Sequence, residues 1–247
     1  MKQAYNCLMS VQLYLSSQGL GDAPESLRLL NPGATQALII LNALDSYPFS
    51  RQGAFTNESA ELVALGYECK ELDLRLYFVD NIDEEAGEVR SSRTKRAERA
   101  EIGEQIELVE RLCRADLVWI AGGNTFVLAR AMKQSGFKAA LLQANLEREL
   151  AQLPSLIYGG YSAGAVVVGP DLQGIHLMDD PNVVPAGYDP ATEVLTLGFI
   201  QDRIIPHYQS DNPESGQADK AVAFLESGNL KYRTLSDGEV LITQNEL

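Results

Sequence analysis

The sequence predicts an α/β fold with a mostly parallel central sheet covered by helices on both faces, and three observations carry that prediction. Strand-like apolar runs alternate with helix-period segments from residue 11 through residue 168. The run at 36–44 (Gln-Ala-Leu-Ile-Ile-Leu-Asn-Ala-Leu) is continuously apolar, as a strand buried on both faces must be. Finally, two strands run directly into Gly-rich turns that open helices, one at Gly122-Gly123-Asn124-Thr125 and one at Gly160-Tyr161-Ser162-Ala163-Gly164. In sheets of this kind ligands sit beyond the carboxyl ends of the strands, which is where both turns fall.

Composition narrows the function classes. The chain has 247 residues, of which 45% are apolar and 22% charged, a soluble globular balance. With no Pro/Gly/Ser-rich linker, residues 1–10 read as an N-terminal extension and 11–247 as a single α/β domain. No run approaches the ~18 apolar residues of a membrane span. A net charge of −14 argues against nucleic acid and anionic membrane surfaces as partners, since both reward basic patches. Cys7, Cys69 and Cys113 are odd in number and lack C-x-x-C pairing, so they read as small buried or bystander thiols in a reducing, cytoplasmic setting. His176 and His207 are the only imidazoles and neither belongs to a ligand-spaced cluster; no metal and no cofactor are expected. A homodimer is left open.

Taken in order, residues 11–15 alternate as a first strand and 36–44 form the second. Residues 57–65 have a helical pattern, with Asn57 as N-cap and Gly66 as C-cap. Residues 67–76 alternate as a third strand. The charged segment 80–99 reads as a solvated loop, a candidate lid, and 97–114 as a helix with Ile102, Ile106, Val109 and Leu112 at helical spacing. A strand at 116–121 enters the first Gly-rich turn, where Asn124 or Thr125 caps the next helix. Residues 141–153 form a further helix stopped by Pro154. Beyond the second turn, 175–185 reads as loop, 194–199 and 203–205 as short strands, 218–225 as helix, and 231–243 as strand, turn and strand around Asp237-Gly238.

The second Gly-rich turn has the form G-x-S-x-G between a strand and a helix. This is the pattern that lifts a serine hydroxyl above a sheet edge, with the Ala163 N–H and the helix N-terminus facing a developing oxyanion. A serine nucleophile needs a base, and the base an orienting carboxylate. His207 is the better placed imidazole because it follows the short strand at 203–205 and opens a polar loop, while His176 lies among Ile175, Leu177 and Met178. Asp179, Asp180 and Asp237 all remain candidates for the carboxylate, each also readable as a solvated turn aspartate.

Three motifs occur in register: Ala121-Gly122-Gly123-Asn124-Thr125-Phe126, Gly160-Tyr161-Ser162-Ala163-Gly164-Ala165 and Pro206-His207-Tyr208. Together with Leu13-Tyr14-Leu15-Ser16-Ser17 and Leu177-Met178-Asp179, they make the chain resemble the peptidase E (aspartyl dipeptidase) family of serine peptidases, to which cyanophycinase is related. The resemblance runs from about residue 11 to the C-terminus. It implies a fold similar to class I glutamine amidotransferases, Ser162 as nucleophile, His207 as base, Asp237 as the acidic third member, and Asp179 as a further acidic residue tied to activity. The implied oxyanion donors are the N–H groups of Gly123 and Ala163. The implied reaction is metal-free hydrolysis of short peptides with N-terminal Asp (Asp-X) through an acyl-enzyme. Asn124 and Lys220 are the candidate substrate contacts. One departure stands out: the segment 212–220 lacks the Arg that the dipeptidases use for an acidic side chain, and Lys220 is its only cation. The rivals are a cyanophycinase-like isopeptide hydrolase and a catalytically inactive α/β binding protein of the same fold.

Overall fold

The computed structural model describes residues 10–79 and 92–246. Its elements in chain order are β1 (Ser10–Ser16), α1 (Glu25–Leu30), β2 (Gln36–Ile40), α2 (Pro48–Arg51), α3 (Ala54–Ala64), β3 (Glu68–Glu71), α4 (Ser92–Arg114), β4 (Leu117–Ile120), α5 (Thr125–Gln134), α6 (Phe137–Leu150), β5 (Ile157–Tyr161), α7 (Ala163–Val166), β6 (Arg203–Ile205), α8 (Ser215–Ser227), β7 (Tyr232–Thr234) and β8 (Val240–Glu246). A six-stranded sheet has the order β3-β2-β4-β5-β1-β8, all parallel except for β8, which runs antiparallel to β1 at one edge. The expected α/β architecture is therefore present. Of the expected extension at 1–10, only Ser10 is among the described residues, and it opens β1.

Two apolar layers cover the sheet. On one face Leu27, Ala54 and Leu62 from α1 and α3 pack on Ile39, Trp119 and Ile157; on the other, Leu108, Leu112, Val127, Phe137 and Leu141 from α4, α5 and α6 pack on Leu13, Ile40 and Val118. Burying an aliphatic side chain in such a layer contributes about 1.5–3 kcal/mol, so the register of the central strands is fixed from both sides.

Several boundaries differ from expectation for identifiable reasons. The second strand ends at Ile40, not residue 44, because residues 42–44 turn into a 3-10 helix whose buried Asn42 accepts the N–H of Leu74 and donates to Asp45 and Asp73. The third strand likewise ends at Glu71, and Asp73 caps a 3-10 turn by accepting the Arg75 N–H. Helix α3 begins after Gly53 (φ +82°), ahead of Asn57; it ends as expected near Gly66 (φ +91°), where Gly66 N–H bonds Val63 and Tyr67 N–H bonds Leu62 in a Schellman arrangement. Helix α6 starts at Phe137 and stops at Leu150, earlier at both ends than the pattern suggested. Of the expected loop at 80–99, residues 80–91 lie outside the described residues, and from Ser92 onward the chain is helical. In α4 the periodicity is real but only half of it faces the core: Leu112 is buried, whereas Ile102 and Ile106 are more than half exposed.

Residues 194–199 do not form a strand. Their alternating burial is genuine, with Leu197 and Phe199 buried, but Leu197 and Phe199 donate their N–H groups to the carbonyls of Val167 and Val168 just past α7, not to a neighbouring strand. Helix α7 itself is only one turn long. The segment at 231–243 splits between two sheets: β7 pairs in parallel with β6, while β8 joins the main sheet beside β1.

Candidate active site

Ser162, His207 and Asp237 each lie just past the carboxyl end of a parallel strand, whereas Asp179 follows a 3-10 turn and Lys220 lies on α8. Strand β5 stops at Tyr161 and the backbone turns sharply at Ser162, whose φ of +46° is unusual for a residue with a side chain. The turn is possible because its two glycines approach one another: a Cβ on Gly160 would lie 3.0 Å from the Gly164 carbonyl, and one on Gly164 would lie 2.4 Å from the Ile120 carbonyl oxygen. The expected dipole contribution does not survive, since a one-turn helix has little macrodipole. What holds Ser162 is its N–H, which the carbonyls of both Ser16 and Ser17 accept at 3.2 Å.

His207 lies two residues beyond β6 and Asp237 three beyond β7, and the parallel pairing of those strands (Ile205 opposite Thr234) brings the two side chains together. His207 Nε2 is 3.2 Å from Ser162 Oγ, and Nδ1 is 2.7 Å from Asp237 Oδ1. The acidic neighbour fixes the tautomer: with the proton on Nδ1 pointing at Asp237, Nε2 is left as the acceptor facing the serine. Asn212 Nδ2 donates to Asp237 Oδ2 at 3.0 Å, and Ser17 Oγ donates to Asp237 Oδ1 at 2.7 Å. Burial pushes the Asp237 carboxyl up, but these donors and the imidazole together hold it below the ordinary carboxylate value.

Asp179 does not contact His207 through a hydrogen bond. Its carboxylate accepts the N–H of Thr125 at 2.8 Å, at the start of α5, while the Asn124 amide donates to the Asp180 carbonyl at 3.0 Å. Burial drives the Asp179 carboxyl above its ordinary value, and the nearby Glu214 charge adds to this. Asn124 also caps α5 by accepting the Val127 N–H, the role expected for either Asn124 or Thr125. These contacts pin the Gly122-Gly123 turn. Gly123 (φ +137°) lies against the Ala43 carbonyl, where a Cβ would sit 2.5 Å from the oxygen, and a Cβ on Gly122 would sit 3.1 Å from Ser162 Cβ. Neither the Gly123 nor the Ala163 N–H donates a hydrogen bond to another described residue, so both remain available beside Ser162.

Glu214 brings one carboxylate oxygen to 3.7 Å from His207 Nε2, the ring nitrogen that also faces Ser162. Lys220 is exposed on α8 and makes no hydrogen bond or ion pair among the described residues. Arg203 is paired with Asp171, and Arg130 is bonded to the Thr192 carbonyl. His176 stacks edge-on against Phe224, 5.1 Å between centroids, and makes no hydrogen bond to Ser162. A cavity of about 570 Å³ opens beside Asp237, lined by Gln18, Asp22, Glu25 and Glu61 among others. Beneath the elbow, Tyr161 and Trp119 both donate to Glu58, at 2.6 and 3.0 Å. Among the described residues no group of His, Cys, Asp or Glu is arranged to hold a metal ion, and no helix is long and apolar enough to cross a membrane.

The fold and the site define an α/β protein carrying a serine–histidine–aspartate hydrogen-bond chain at the carboxyl ends of its parallel strands. The model of peptidase family S51 matches residues 92–247, more than half of the chain, and the protein belongs to that family. Peptidase E of Streptomyces coelicolor is 30% identical over 141 residues, covering 55% of this chain and 52% of that protein. A Drosophila melanogaster protein described as a probable alpha-aspartyl dipeptidase is 35% identical over 111 residues, covering 45% of this chain and 40% of that one. The chain thus spans about half the length of the curated relatives it matches. A solved structure of a candidate peptidase E from Listeria monocytogenes EGD-e superimposes with a TM-score of 0.64 at 21% identity, covering 96% of this chain and 99% of the other. That likeness shows the peptidase E-like α/β fold.

Proposed function

We propose that the protein is a serine peptidase that hydrolyses very short peptides, with Asp-X dipeptides as its expected substrates. The observation that carries this reading is the continuous chain from Ser162 Oγ through His207 to Asp237, at 3.2 and 2.7 Å. Ser162 attacks the scissile carbonyl while His207 Nε2 takes its proton; Asp237 holds the tautomer and stabilises the imidazolium. The N–H groups of Gly123 and Ala163 receive the oxyanion. Collapse of the tetrahedral intermediate returns the proton from His207 to the leaving amine, and a water repeats the sequence to free the enzyme. The S51 membership and the aspartyl dipeptidase likeness of the Drosophila relative support the Asp-X assignment.

A second reading, a cyanophycinase-like hydrolase of isopeptide bonds, is favoured by the acidic lining of the cavity beside Asp237 and by Glu214 facing the imidazole. Carboxylates so placed suit a cationic side chain. A panel of Asp-X, Glu-X, Arg-X and β-Asp-Arg dipeptides separates the readings: the highest kcat/KM on Asp-X supports the first, and the highest on β-Asp-Arg replaces it with the second. An inactive binding protein would turn over none of them.

A further inference from the structure

The three side chains of the proposed triad come from segments far apart in sequence, and one residue that is not part of the triad touches all three. Ser17 follows β1, which lies between β5, leading to Ser162, and β8, which follows the Asp237 turn. It is fully buried. Its carbonyl accepts the Ser162 N–H at 3.2 Å, its hydroxyl oxygen accepts the His207 N–H at 2.8 Å, and its hydroxyl proton goes to Asp237 Oδ1 at 2.7 Å. A fourth bond, from its own N–H to the Glu239 carbonyl at 3.3 Å, ties the residue to the chain just after Asp237.

The bonds fall where the backbone most needs holding. Ser162 and His207 both have positive φ, +46° and +60°, a strained conformation that side-chain-bearing residues keep only where the surroundings impose it. Ser17 accepts the N–H of each. The Asp237 oxygen that receives its hydroxyl is also the one that receives the imidazole, so the hydroxyl fixes where that oxygen sits along the His207 Nδ1 direction. We infer that Ser17 is the positioning residue of this active site, setting the mutual geometry of Ser162, His207 and Asp237 without contacting substrate. The inference rests on the triad reading.

The test uses a fluorophosphonate, whose phosphorus is attacked by Ser162 Oγ with loss of fluoride and transfer of the hydroxyl proton to His207. Its labelling rate reports triad geometry without knowledge of the peptide substrate. In Ser17→Ala the Ser162 N–H keeps its carbonyl partners, but the His207 N–H and Asp237 each lose one. Labelling is expected to slow roughly 10- to 150-fold, the range for a bond to a charged group. On the best dipeptide of the panel, kcat should fall by a similar factor with KM within about twofold. Ser17→Cys, close in size with a weaker donor, should fall between wild type and Ala. The downfield NMR signal of the His207 Nδ1 proton should move or broaden in Ser17→Ala and persist in Ser162→Ala. An unaltered labelling rate and proton signal in folded Ser17→Ala overturns the inference; if that variant does not fold, wild-type labelling by Ser17→Cys does so. Failure of wild-type protein to label at Ser162 is a separate result that overturns the triad and this inference with it.

Discussion

The Asp237 carboxylate lies 2.7 Å from His207 Nδ1, and it is this aspartate, not Asp179, that meets the imidazole. Replacing Asp237 by Asn presents an amide in place of the acceptor that selects the productive tautomer. The expected loss in kcat is on the order of 10⁴. In Asp179→Asn the side-chain oxygen can still accept the Thr125 N–H, so the loss should be less than about tenfold. Steady-state kinetics of the two variants on one dipeptide decide the point, and equal losses would contradict it.

The same two carboxylates should have opposite effects on stability against pH. Asp237 is held below its ordinary value, so its contribution to folding is present above that value and disappears as pH falls through the lower, folded pKa. Asp179 is pushed above its ordinary value by burial, so folding favours its protonated form, and stability is lost as pH rises through the raised pKa. Asp179→Asn removes that loss. The melting temperature of Asp179→Asn relative to wild type should therefore climb over the pH range above about 4, the ordinary carboxylate value, and level off once pH has passed the raised pKa. A difference that falls over this range would show that the ionised form is the one folding prefers.

Gly123→Ala tests the oxyanion turn. The added methyl meets the Ala43 carbonyl oxygen at 2.5 Å in a backbone conformation alanine avoids, so the turn must shift relative to Ser162. Loss of one well-aimed donor lowers kcat by about 10²–10³. Wild-type turnover in a folded variant would remove Gly123 from the oxyanion site.

Most of the fold could be read from the chain because its signals are local. The apolar run that opens β2, the strand–turn–helix around G-x-S-x-G and the Asn124 cap each depend on neighbours in sequence, and each forms in the structure, β2 over Gln36–Ile40 only. Errors arose where burial and hydrogen bonding part company. Residues 194–199 alternate like a strand because they lie along the chain past α7, and Ile102 and Ile106 keep helical spacing on a face of α4 that points away from the core. The scarcity of imidazoles points to His207, whereas only the family resemblance points to Asp237, since several turn aspartates look alike in the sequence. Ser17 lies in a stretch that carries the family resemblance, but nothing in the sequence marks its contacts or those of Asn212, which arise from the pairing of β1 with β5 and β8 and from the loop after His207.

Preference for an acidic N-terminal residue should be modest. Lys220 is exposed, Arg203 and Arg130 are engaged elsewhere, and Glu214 opposes an incoming carboxylate near His207. A single charge-assisted bond contributes about 1.5–3 kcal/mol, roughly 10- to 150-fold, whereas a site built around a matched receptor discriminates by about 10⁴ or more. The ratio of kcat/KM for Asp-X to that for isosteric Asn-X is thus expected to lie below about 150. A ratio above about a thousand would mean that another cation receives the side chain.

The central claim is that Ser162 is the nucleophile and His207 its base. Treating the folded protein with a fluorophosphonate and locating the adduct by peptide mass spectrometry tests it most directly. The account predicts a single stoichiometric adduct on Ser162, absent in Ser162→Ala, slowed on the order of 10³-fold or more in His207→Ala, and unchanged in His176→Ala. Folded wild-type protein that takes up no label, or carries it on another residue, or labels at full rate without His207, would contradict it.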